Sequence, residues 1–580
     1  MKLQRGHWET ILIIVIGIIT FSKAFSNDFL YYDDAGYISD NLDIQAFSLN
    51  NIKRVFSNYY VGNYQPVTMF LYMVIFKLFG KKYVGFFIVQ LILHLLNTVI
   101  ALKVIRYFVQ DNAQSLLIAL LFMVSPYRVE SVVWVSELKD TLYLFFFLLA
   151  LKHYFEYLFN QKPVSHWLLL LYFVLGCLSK SMMITLPLII LSTEIIIRKD
   201  QVFKHMLPKA LMWLFSIIVL VVAFKSQGEA ISEFDNRANG VTLILLPLFN
   251  YGYYFISSLL PGIYFNYSIL HFVPESNQLT AYLVLGIIGI SSIVLLVGPF
   301  IRKKTNKKVL VVFLIYIIAL LPVVKIIGFG REAFAERYTY FAAIPALILI
   351  VHFLSNKIKN KAYLTYSLTF ICLVFVCLTY ARTSVYKNNF TLFNDVQKKY
   401  PNRSFVYLQL GVTSQQHEDY LKALEFYKSC RELIENKRDR MNHEDTKNLY
   451  NNIGVCSALL GNKVDALKAF EQALQVDSKD VNAMVNTKKL KAEILLDEGN
   501  HIANADLDAA INKFKESAKI NPEYKTAYEN LCKVYYMKGQ FVESKLYADT
   551  AIHLGVSFQQ GFYEAVDSLS KIQVKNKVYK

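Results

Sequence analysis

The feature that most constrains this chain is a series of apolar runs that continues almost to residue 380. The runs cover residues 8–25, 84–105, 113–124, 141–159, 168–197, 207–224, 280–297, 309–327, 341–354 and 363–379. Inside a bilayer only helices and closed barrels satisfy their own backbone, and runs of this length match helices. Run 168–197 is long enough for two helices that meet near residues 179–181. The sequence therefore predicts a multispan helical membrane domain.

The formal net charge of +17 does not indicate a nucleic-acid partner, because the basic residues cluster beside the apolar runs. Cytoplasmic loops are typically basic, and the basic segments here are residues 2–5, 103–106, 152–162, 198–209, 302–308 and 357–361. Placing all of them inside gives about eleven spans and a cytoplasmic N-terminus. Everything after Arg382 is then extracytoplasmic, in an inner-membrane protein. Residues 241–260 then lie between an outward and an inward crossing and cannot span the membrane an odd number of times, so they are predicted to form a re-entrant or interfacial hairpin.

On this topology five polar segments share the outer face: residues 33–34, 127–140, 180, 225–278 and 328–340. Charged loops that converge at a bilayer surface are typical of an active site there, whereas transporters more often place paired charges near the midplane. The sequence lacks a phosphate-cradling glycine loop, a nucleophile elbow and a paired-cysteine zinc pattern, and its histidines lack ligand spacing. No metal site is predicted.

Beyond residue 382 the composition becomes polar with helical periodicity, so we place a membrane domain at 1–381, a linker at 382–403 and a repeat domain at 404–580. Small and large residues recur there with the spacing of tetratricopeptide repeats, in copies at about 404–437, 447–480, 491–524 and 525–558. The third copy keeps the pattern of its second helix only. Such an α-solenoid offers a groove to a protein or peptide, although it could also stack on the membrane domain or support dimerisation.

Two adjacent carboxylates, Asp33 and Asp34, stand directly after the first apolar run. Asp is too short to snorkel, so a pair at a membrane edge needs water, a cation or a chemical task. One carboxylate can deprotonate an acceptor hydroxyl while the other orients the substrate or holds a divalent cation. A solvated acidic loop is the plainer alternative. Further on, Gln65 and Pro66 are predicted to begin a surface helix that reaches Phe79.

Cations on the same face could hold a phosphate, because positive charge stabilises a leaving phosphate. The candidates for this role are Arg128, Lys180 and Arg337. Charged or polar neighbours that could support them are Glu130, Lys139, Asp140, Glu336 and Tyr338. Each has a structural alternative, since ion pairs between helices or a snorkelling lysine would explain the same residues.

Four segments together resemble the ordered motifs of the transmembrane and tetratricopeptide-repeat-containing O-mannosyltransferases and their bacterial relatives. These segments are residues 27–38, 127–140, 178–181 and 336–340. That family is similar in fold to the C-type glycosyltransferases, which use a lipid-phosphate sugar on the outer face, and their first-loop base corresponds in position to Asp33. Relatives often have His-Pro where this chain has Pro126-Tyr127, and proline where it has Ser181, so the resemblance leaves the sugar open.

The sequence therefore predicts an all-α protein in which a multispan, C-type glycosyltransferase-like domain precedes a tetratricopeptide solenoid. The predicted enzyme is an inverting glycosyltransferase that moves a sugar from a polyprenyl-phosphate donor to an acceptor hydroxyl, with membrane lipids around it and a protein or peptide in the groove. No cofactor is required beyond an optional divalent cation. The alternatives are a non-catalytic membrane-anchored scaffold for envelope assembly and a flippase or polymerase, although the spans carry few polar residues.

Overall fold

The structure is a computed structural model that describes residues 2–228, 231, 240–262, 268–272, 279–302, 307–327, 332–559 and 561–578. The chain divides into two compact units, residues 1–399 and 400–580. Both are helical, and the described residues form no strand beyond a single bridge between Tyr60 and Asn63. The predicted all-α class is therefore confirmed.

The membrane unit contains seventeen described α-helices, joined by short 3-10 and π-helical turns. The first nine are α1 (Lys2–Phe21), α2 (Leu42–Gln45), α3 (Leu49–Ser57), α4 (Pro66–Phe79), α5 (Tyr83–Ile105), α6 (Asn112–Val124), α7 (Arg128–Val133), α8 (Leu138–Asn160) and α9 (His166–Cys177). The others are α10 (Leu186–Ile197), α11 (Met206–Ser226), α12 (Gly240–Ser257), α13 (Leu279–Arg302), α14 (Lys307–Leu320), α15 (Thr339–Lys357), α16 (Lys361–Thr383) and α17 (Asn389–Lys399).

Seven helices of the described residues are long and apolar enough to cross a membrane, and five shorter apolar helices accompany them. The run 168–197 forms two helices, α9 and α10, separated by a turn at Ser181–Thr185, as predicted. The predicted helix from Pro66 to Phe79 is also present as α4. The total of about eleven spans remains a prediction.

The predicted hairpin at residues 241–260 is wrong. One helix, α12, runs through Gly240–Ser257, with Pro247 inside it. Its neighbour is α13, and the two backbones approach closely because Gly252 faces Gly289; a Cβ added at Gly252 would lie 2.6 Å from the Gly289 Cα. Two glycines therefore let α12 pack closely against α13 as one continuous helix.

Polar side chains on α4 and α5 hold the chain between α7 and α8 in place. The Tyr72 hydroxyl donates to the Val135 carbonyl at 2.6 Å, and the Tyr83 hydroxyl donates to the Val133 carbonyl at 2.7 Å. The Gln90 amide donates to the Ser131 carbonyl at 2.6 Å. Carbonyls left free where α7 ends and α8 begins are thereby satisfied inside the protein, which permits a non-helical segment at this depth.

Residues 382–399, which the sequence assigned to a linker, are largely helical and pack within the membrane unit. The Asn27 amide donates to the carbonyls of Thr383 at 3.2 Å and Tyr386 at 3.0 Å. The Asp28 backbone N–H donates to the Lys387 carbonyl at 2.8 Å. The segment after α16 is thus hydrogen-bonded to the segment after α1.

The second unit is a row of helix pairs closed by one further helix. The pairs are α18 (Ser404–Gln416) with α19 (Tyr420–Glu435), α20 (His443–Leu459) with α21 (Lys463–Val476), α22 (Val481–Ile502) with α23 (Leu507–Ile520), and α24 (Lys525–Met537) with α25 (Phe541–His553); α26 (Phe562–Val578) follows. Side chains of Asp419, Asn442, Asp480 and Asp506 cap four of these helices at their N-termini. The predicted solenoid is confirmed.

Small residues on the first helix of a pair receive an aromatic ring from the second. A Cβ on Gly411 would lie 2.3 Å from the Tyr427 ring, and one on Gly454 would lie 2.4 Å from the Phe470 ring. The third pair repeats this contact between Gly499 and Phe514. The prediction that the third copy keeps only its second helix is therefore wrong, because α22 supplies a first helix whose small position is Gly499.

Candidate active site

The acidic pair lies between α1 and α2, where the chain forms a turn and then a π-helical turn at Ala35–Ser39. Asp34 is fully buried and closes the turn: its Oδ2 accepts from the Leu30 backbone N–H at 2.7 Å, and its own N–H donates to the Leu30 carbonyl at 3.2 Å. Its Oδ1 accepts from the Ser136 backbone N–H at 3.0 Å and from the Ser136 hydroxyl. Burial raises the pKa of Asp34 to about 7, although these donors oppose the shift.

Asp33 has the opposite environment. Its side chain is only half-buried, and no described residue donates a hydrogen bond to its carboxylate or forms an ion pair with it. Burial raises the pKa of Asp33 to about 6, against the positive field of Lys139. A reachable carboxylate without a donor, and with a pKa near neutrality, has the properties of a general base.

A group of ion pairs surrounds Arg337, which precedes α15. Its guanidinium pairs with Glu130 of α7, and its backbone N–H donates to the same carboxylate at 2.9 Å. Its Nη2 lies 3.4 Å from Glu332, and its Nε lies 3.6 Å from Glu137. Three carboxylates therefore share one guanidinium, so the positive charge of Arg337 is compensated within the protein.

Glu137 connects Arg337 to two lysines. Its carboxylate lies 3.2 Å from the Lys139 Nζ and 3.7 Å from the Lys180 Nζ. Lys180 also pairs with Asp140, which lies in the first turn of α8, three residues after Glu137. Lys139 and Lys180 have fewer carboxylate neighbours than Arg337, so more of their charge is available to a bound anion.

Aromatic rings line the same group. The Arg337 guanidinium lies 5.9 Å from the Trp134 ring and 5.2 Å from the Tyr338 ring, and Tyr32 stacks on Trp134 with centroids 6.0 Å apart. The Lys139 Nζ lies 4.8 Å above the Tyr37 ring. Cation–π contacts of this kind fix the charged side chains laterally and keep water away from the ion pairs.

The other predicted site residues lie around this group without joining its centre. Arg128 is 1% exposed; its guanidinium donates to the Thr339 hydroxyl and lies 5.5 Å from the Phe122 ring and 5.4 Å from the Tyr340 ring. Glu336 turns away from its neighbour Arg337 and accepts from the Ser268 backbone N–H at 2.8 Å. The structure thus brings together Asp33, Glu130, Lys139, Asp140, Lys180, Arg337 and Tyr338.

Glu137, Glu332, Ser136 and Lys325 are polar residues of the site that the sequence did not single out. Lys325 is 1% exposed. Although burial opposes it, the positive charges of Arg337 and Lys325 lower the pKa of Glu332. Glu137 lies in the motif 127–140, where its charge, placed between Arg128 and Lys139, was the only available signal.

The described residues contain no group of three or more His, Cys, Asp and Glu side chains placed to hold a metal ion. The carboxylates of the site face lysine and arginine instead. A role for Asp34 in holding a divalent cation would require breaking its bonds to Ser136 and Leu30, since both of its oxygens are occupied. The site thus combines Asp33, a carboxylate without a hydrogen-bond donor among the described residues, with the cations Lys139 and Lys180.

Comparison with known proteins identifies relatives over most of the chain. The human protein O-mannosyl-transferase TMTC3 is 22% identical over 587 aligned residues, which cover 89% of this chain and 61% of TMTC3. The chain is similar in sequence to the TMTC protein O-mannosyl-transferases. Human TMTC4 is 26% identical over 304 residues, covering 43% of this chain and 41% of TMTC4. The chain thus spans about three fifths of the length of human TMTC3. No family model matches the sequence.

Among solved structures, the crystal structure of MamA aligns with 28% of this chain and 84% of its own, at 21% identity and a TM-score of 0.20. The sequence relatives support the resemblance that the motifs indicated, and the seven long apolar helices agree with a location in a membrane.

Proposed function

We propose that this protein is an integral-membrane glycosyltransferase that moves a sugar from a polyprenyl-phosphate donor to an acceptor hydroxyl, on a protein Ser or Thr, at the non-cytoplasmic face. The observation that supports this most strongly is Asp33, whose carboxylate is within reach of solvent and has no donor among the described residues. Lys139 acts on this carboxylate electrostatically, and Lys139 and Lys180, which both contact Glu137, carry charge for a phosphate. The relatives' names, O-mannosyl-transferase, make mannose the first sugar to test.

The reaction we propose is a single inverting displacement. The acceptor hydroxyl gives its proton to an Asp33 oxygen as the hydroxyl oxygen attacks the anomeric carbon. The bond between that carbon and the phosphate oxygen breaks, and its electron pair leaves with the polyprenyl phosphate. Lys139 and Lys180 stabilise the growing charge of the phosphate, so a covalent enzyme intermediate is unnecessary.

Asp34 has a supporting role in this proposal. One of its oxygens accepts a hydrogen bond from Leu30 and the other accepts from Ser136. These hydrogen bonds fix the turn that carries Asp33. Such fixation matters because a base must stay within hydrogen-bonding reach of its substrate. The roles proposed for Asp33 and Asp34 are therefore different.

The remaining parts of the proposal concern the membrane and the acceptor. Basic segments at residues 2–5 and 103–106 favour a cytoplasmic N-terminus, with the acidic pair and the solenoid on the opposite side. The groove of the solenoid, residues 404–558, would bind the polypeptide that carries the acceptor hydroxyl. Arg128, which is buried against the rings of Phe122 and Tyr340, would stabilise the helices around the donor site rather than contact the phosphate.

The test is transfer of radiolabelled mannose from a polyprenyl-phosphate donor to a Ser/Thr-rich peptide by the purified full chain in lipid nanodiscs. Asp33→Asn should reduce kcat by roughly a thousandfold, as loss of a general base does. Asp40→Asn is the matched control: Asp40 is an exposed carboxylate of the same loop, and transfer should stay near wild type. Full activity of Asp33→Asn would refute the assignment of the base, and no transfer with any lipid-linked sugar would favour a scaffold.

A further inference from the structure

The chain ahead of α4 makes a tight turn that lies against the loop of the acidic pair. Tyr60 and Asn63 exchange two backbone hydrogen bonds, each 2.9 Å long. Both residues between them have positive φ angles, 47° at Val61 and 68° at Gly62. Such angles are preferred in a two-residue turn, but a β-branched side chain rarely adopts them. The turn is therefore strained at Val61, and strain of this kind is often retained where it serves a function.

Two contacts join this strained turn to the π-helical turn at Ala35–Ser39, which directly follows the acidic pair. The Val61 side chain packs on Gly36, where an added Cβ would lie 2.8 Å from the Val61 Cγ2. The Asn63 Nδ2 donates to the Tyr37 hydroxyl at 3.1 Å. A side chain at position 36 would push the two turns apart, so glycine is what allows both contacts at once.

Every polar atom of the Asn63 amide has a partner in the protein. Its Nδ2 also donates to the Val61 carbonyl at 2.8 Å, and its Oδ1 accepts from the Gln227 Nε2 at 3.0 Å. Gln227 directly follows α11, so the amide connects the end of that helix to the turn and, through Tyr37, to the loop of the acidic pair. Because the donor and the acceptor of the amide are both engaged, its orientation is determined.

Tyr37 receives this contact and is linked both to the proposed base and to a proposed phosphate ligand. Its backbone N–H donates to the Asp33 carbonyl at 3.2 Å, and the Lys139 Nζ lies 4.8 Å from the centre of its ring. The Tyr37 ring is fully buried, with its centroid 6.2 Å from that of the Tyr72 ring, so it cannot turn without displacing its neighbours. A hydrogen bond at the outer end of this ring therefore acts on Asp33 and on Lys139 together.

We propose that Asn63 is a positioning residue for the transfer reaction: its hydrogen bond to Tyr37 holds the backbone of Asp33 and the ammonium group of Lys139 in place. The inference rests on the proposed function, since it takes Asp33 as the base and Lys139 as a phosphate ligand. Asn63 acts through Tyr37 and not on the substrate. Its bond to Gln227 adds the end of α11 to the groups that hold the base.

The experiment compares Asn63→Ala, Tyr37→Phe and the double variant of the full chain in the nanodisc transfer assay. Each single change removes the same hydrogen bond, and Tyr37→Phe keeps the ring beside Lys139. We expect kcat to fall roughly fivefold in each, as loss of one hydrogen bond implies, with little change in the KM for donor or acceptor. The double variant should fall no further than the single ones, because all three lack the same bond. Asn58→Ala, at an exposed amide of the same segment, is the matched control and should keep wild-type kinetics.

The pH profile separates positioning from a general loosening of the fold. The charged groups that act on Asp33 are Lys139, Glu137, Arg337 and Glu332. Burial raises the pKa of Asp33, and Lys139 has the largest opposing effect. When Lys139 is held less firmly it opposes the shift less, so the midpoint of kcat/KM should move about half a unit to higher pH in Asn63→Ala and Tyr37→Phe. An unshifted midpoint, or losses that multiply in the double variant, would overturn the proposal.

A readout that needs no transfer distinguishes this inference from the proposed function. Hydrogen exchange in residues 35–40 of the full chain should be faster in Asn63→Ala and Tyr37→Phe than in wild type or in Asn58→Ala. Unchanged exchange in both variants would overturn the inference. Faster exchange in the variants, together with a wild type that transfers no sugar, would instead refute the proposed function and leave the contact between the two turns intact.

Discussion

Asp34 and Ser136, which are 102 residues apart in sequence, are joined by two hydrogen bonds to the same carboxylate oxygen. One comes from the Ser136 backbone N–H at 3.0 Å and the other from its hydroxyl. Both residues are fully buried. This contact connects the loop that carries Asp33 to the turn ahead of α8, from which Glu137 and Lys139 extend, so it fixes the proposed base relative to the proposed phosphate ligands.

Removing the Ser136 hydroxyl should therefore impair transfer without abolishing it. Ser136→Ala leaves the backbone bond but removes the second donor, and we expect kcat to fall roughly tenfold because the base is held less firmly. The KM for the donor should change little. Ser39→Ala removes an exposed hydroxyl of the same loop and should retain wild-type kinetics. Equal kcat values for the two variants would contradict the role given to Asp34.

The pH profile should report Asp33. Its pKa is raised by burial to about 6, and only the deprotonated carboxylate can accept the hydroxyl proton, so kcat/KM should rise with pH and level off above about 6. Lys139 lowers the pKa of Asp33, so Lys139→Gln should move the midpoint to higher pH, whatever it does to the maximal rate. Initial rates between pH 4.5 and 8.5 measure both midpoints. A midpoint near 4 in the wild type would argue against a buried base.

Glu137→Gln should destabilise the membrane unit. Glu137 is 2% exposed and lies within 4 Å of Lys139, Lys180 and Arg337, so the substitution leaves one buried and two largely buried cations with less compensation. We expect a loss of about 3 kcal/mol, seen as a lower unfolding temperature in detergent. Glu156→Gln on the same helix removes a partly exposed pair with Lys152 and should shift the unfolding temperature little. Equal shifts in the two variants would show that Glu137 is not the centre of the ion pairs.

Because the Phe470 ring packs directly against Gly454, we expect position 454 to accept a larger side chain only if the ring moves. Gly454→Val places a Cβ 2.4 Å from that ring, and the resulting strain should cost about 2 kcal/mol locally. Hydrogen exchange of the full chain should show faster exchange in residues 443–476 of this variant. Leu459→Ala, at a position that is 58% exposed, serves as the control and should keep wild-type protection.

Sequence patterns predicted the helices and the solenoid because each depends on local periodicity. The two helices in residues 168–197 and the helix Pro66–Phe79 follow from apolar length and a proline start. The continuous helix Gly240–Ser257 was not predicted, because the placement of basic loops contains no information about the close glycine contact that lets this helix pack beside α13. Gly499 was missed because its helix, α22, begins at Val481, about ten residues before the predicted start of the third repeat.

The sequence showed which charged residues belong near the site, but it did not show in which direction each side chain points. Glu336 and Arg337 are adjacent, yet Arg337 pairs with Glu130 while Glu336 accepts from Ser268. The two residues lie in a 3-10 turn, in which successive side chains point about 120° apart, so the phase of the turn decides which one reaches the ion pairs. Arg128 and Lys139 belong to the same sequence motif, yet Arg128 lies against Phe122 and Tyr340 whereas Lys139 pairs with Glu137. The resemblance favoured Asp33 over Asp34 as the base, but the contact between Ser136 and Asp34 could not be read from the sequence.

The hydrogen bonds between residues 27–28 and 383–387 join the segment after the first helix of the membrane unit to the segment after α16. Asn389, at the start of α17, adds to this connection by accepting from the Tyr31 N–H at 2.8 Å, two residues before Asp33. Cutting the gene after residue 381 would remove the partners of these groups together with the solenoid. A tail-less version of this protein that keeps its catalytic loop in order should therefore end at Lys399.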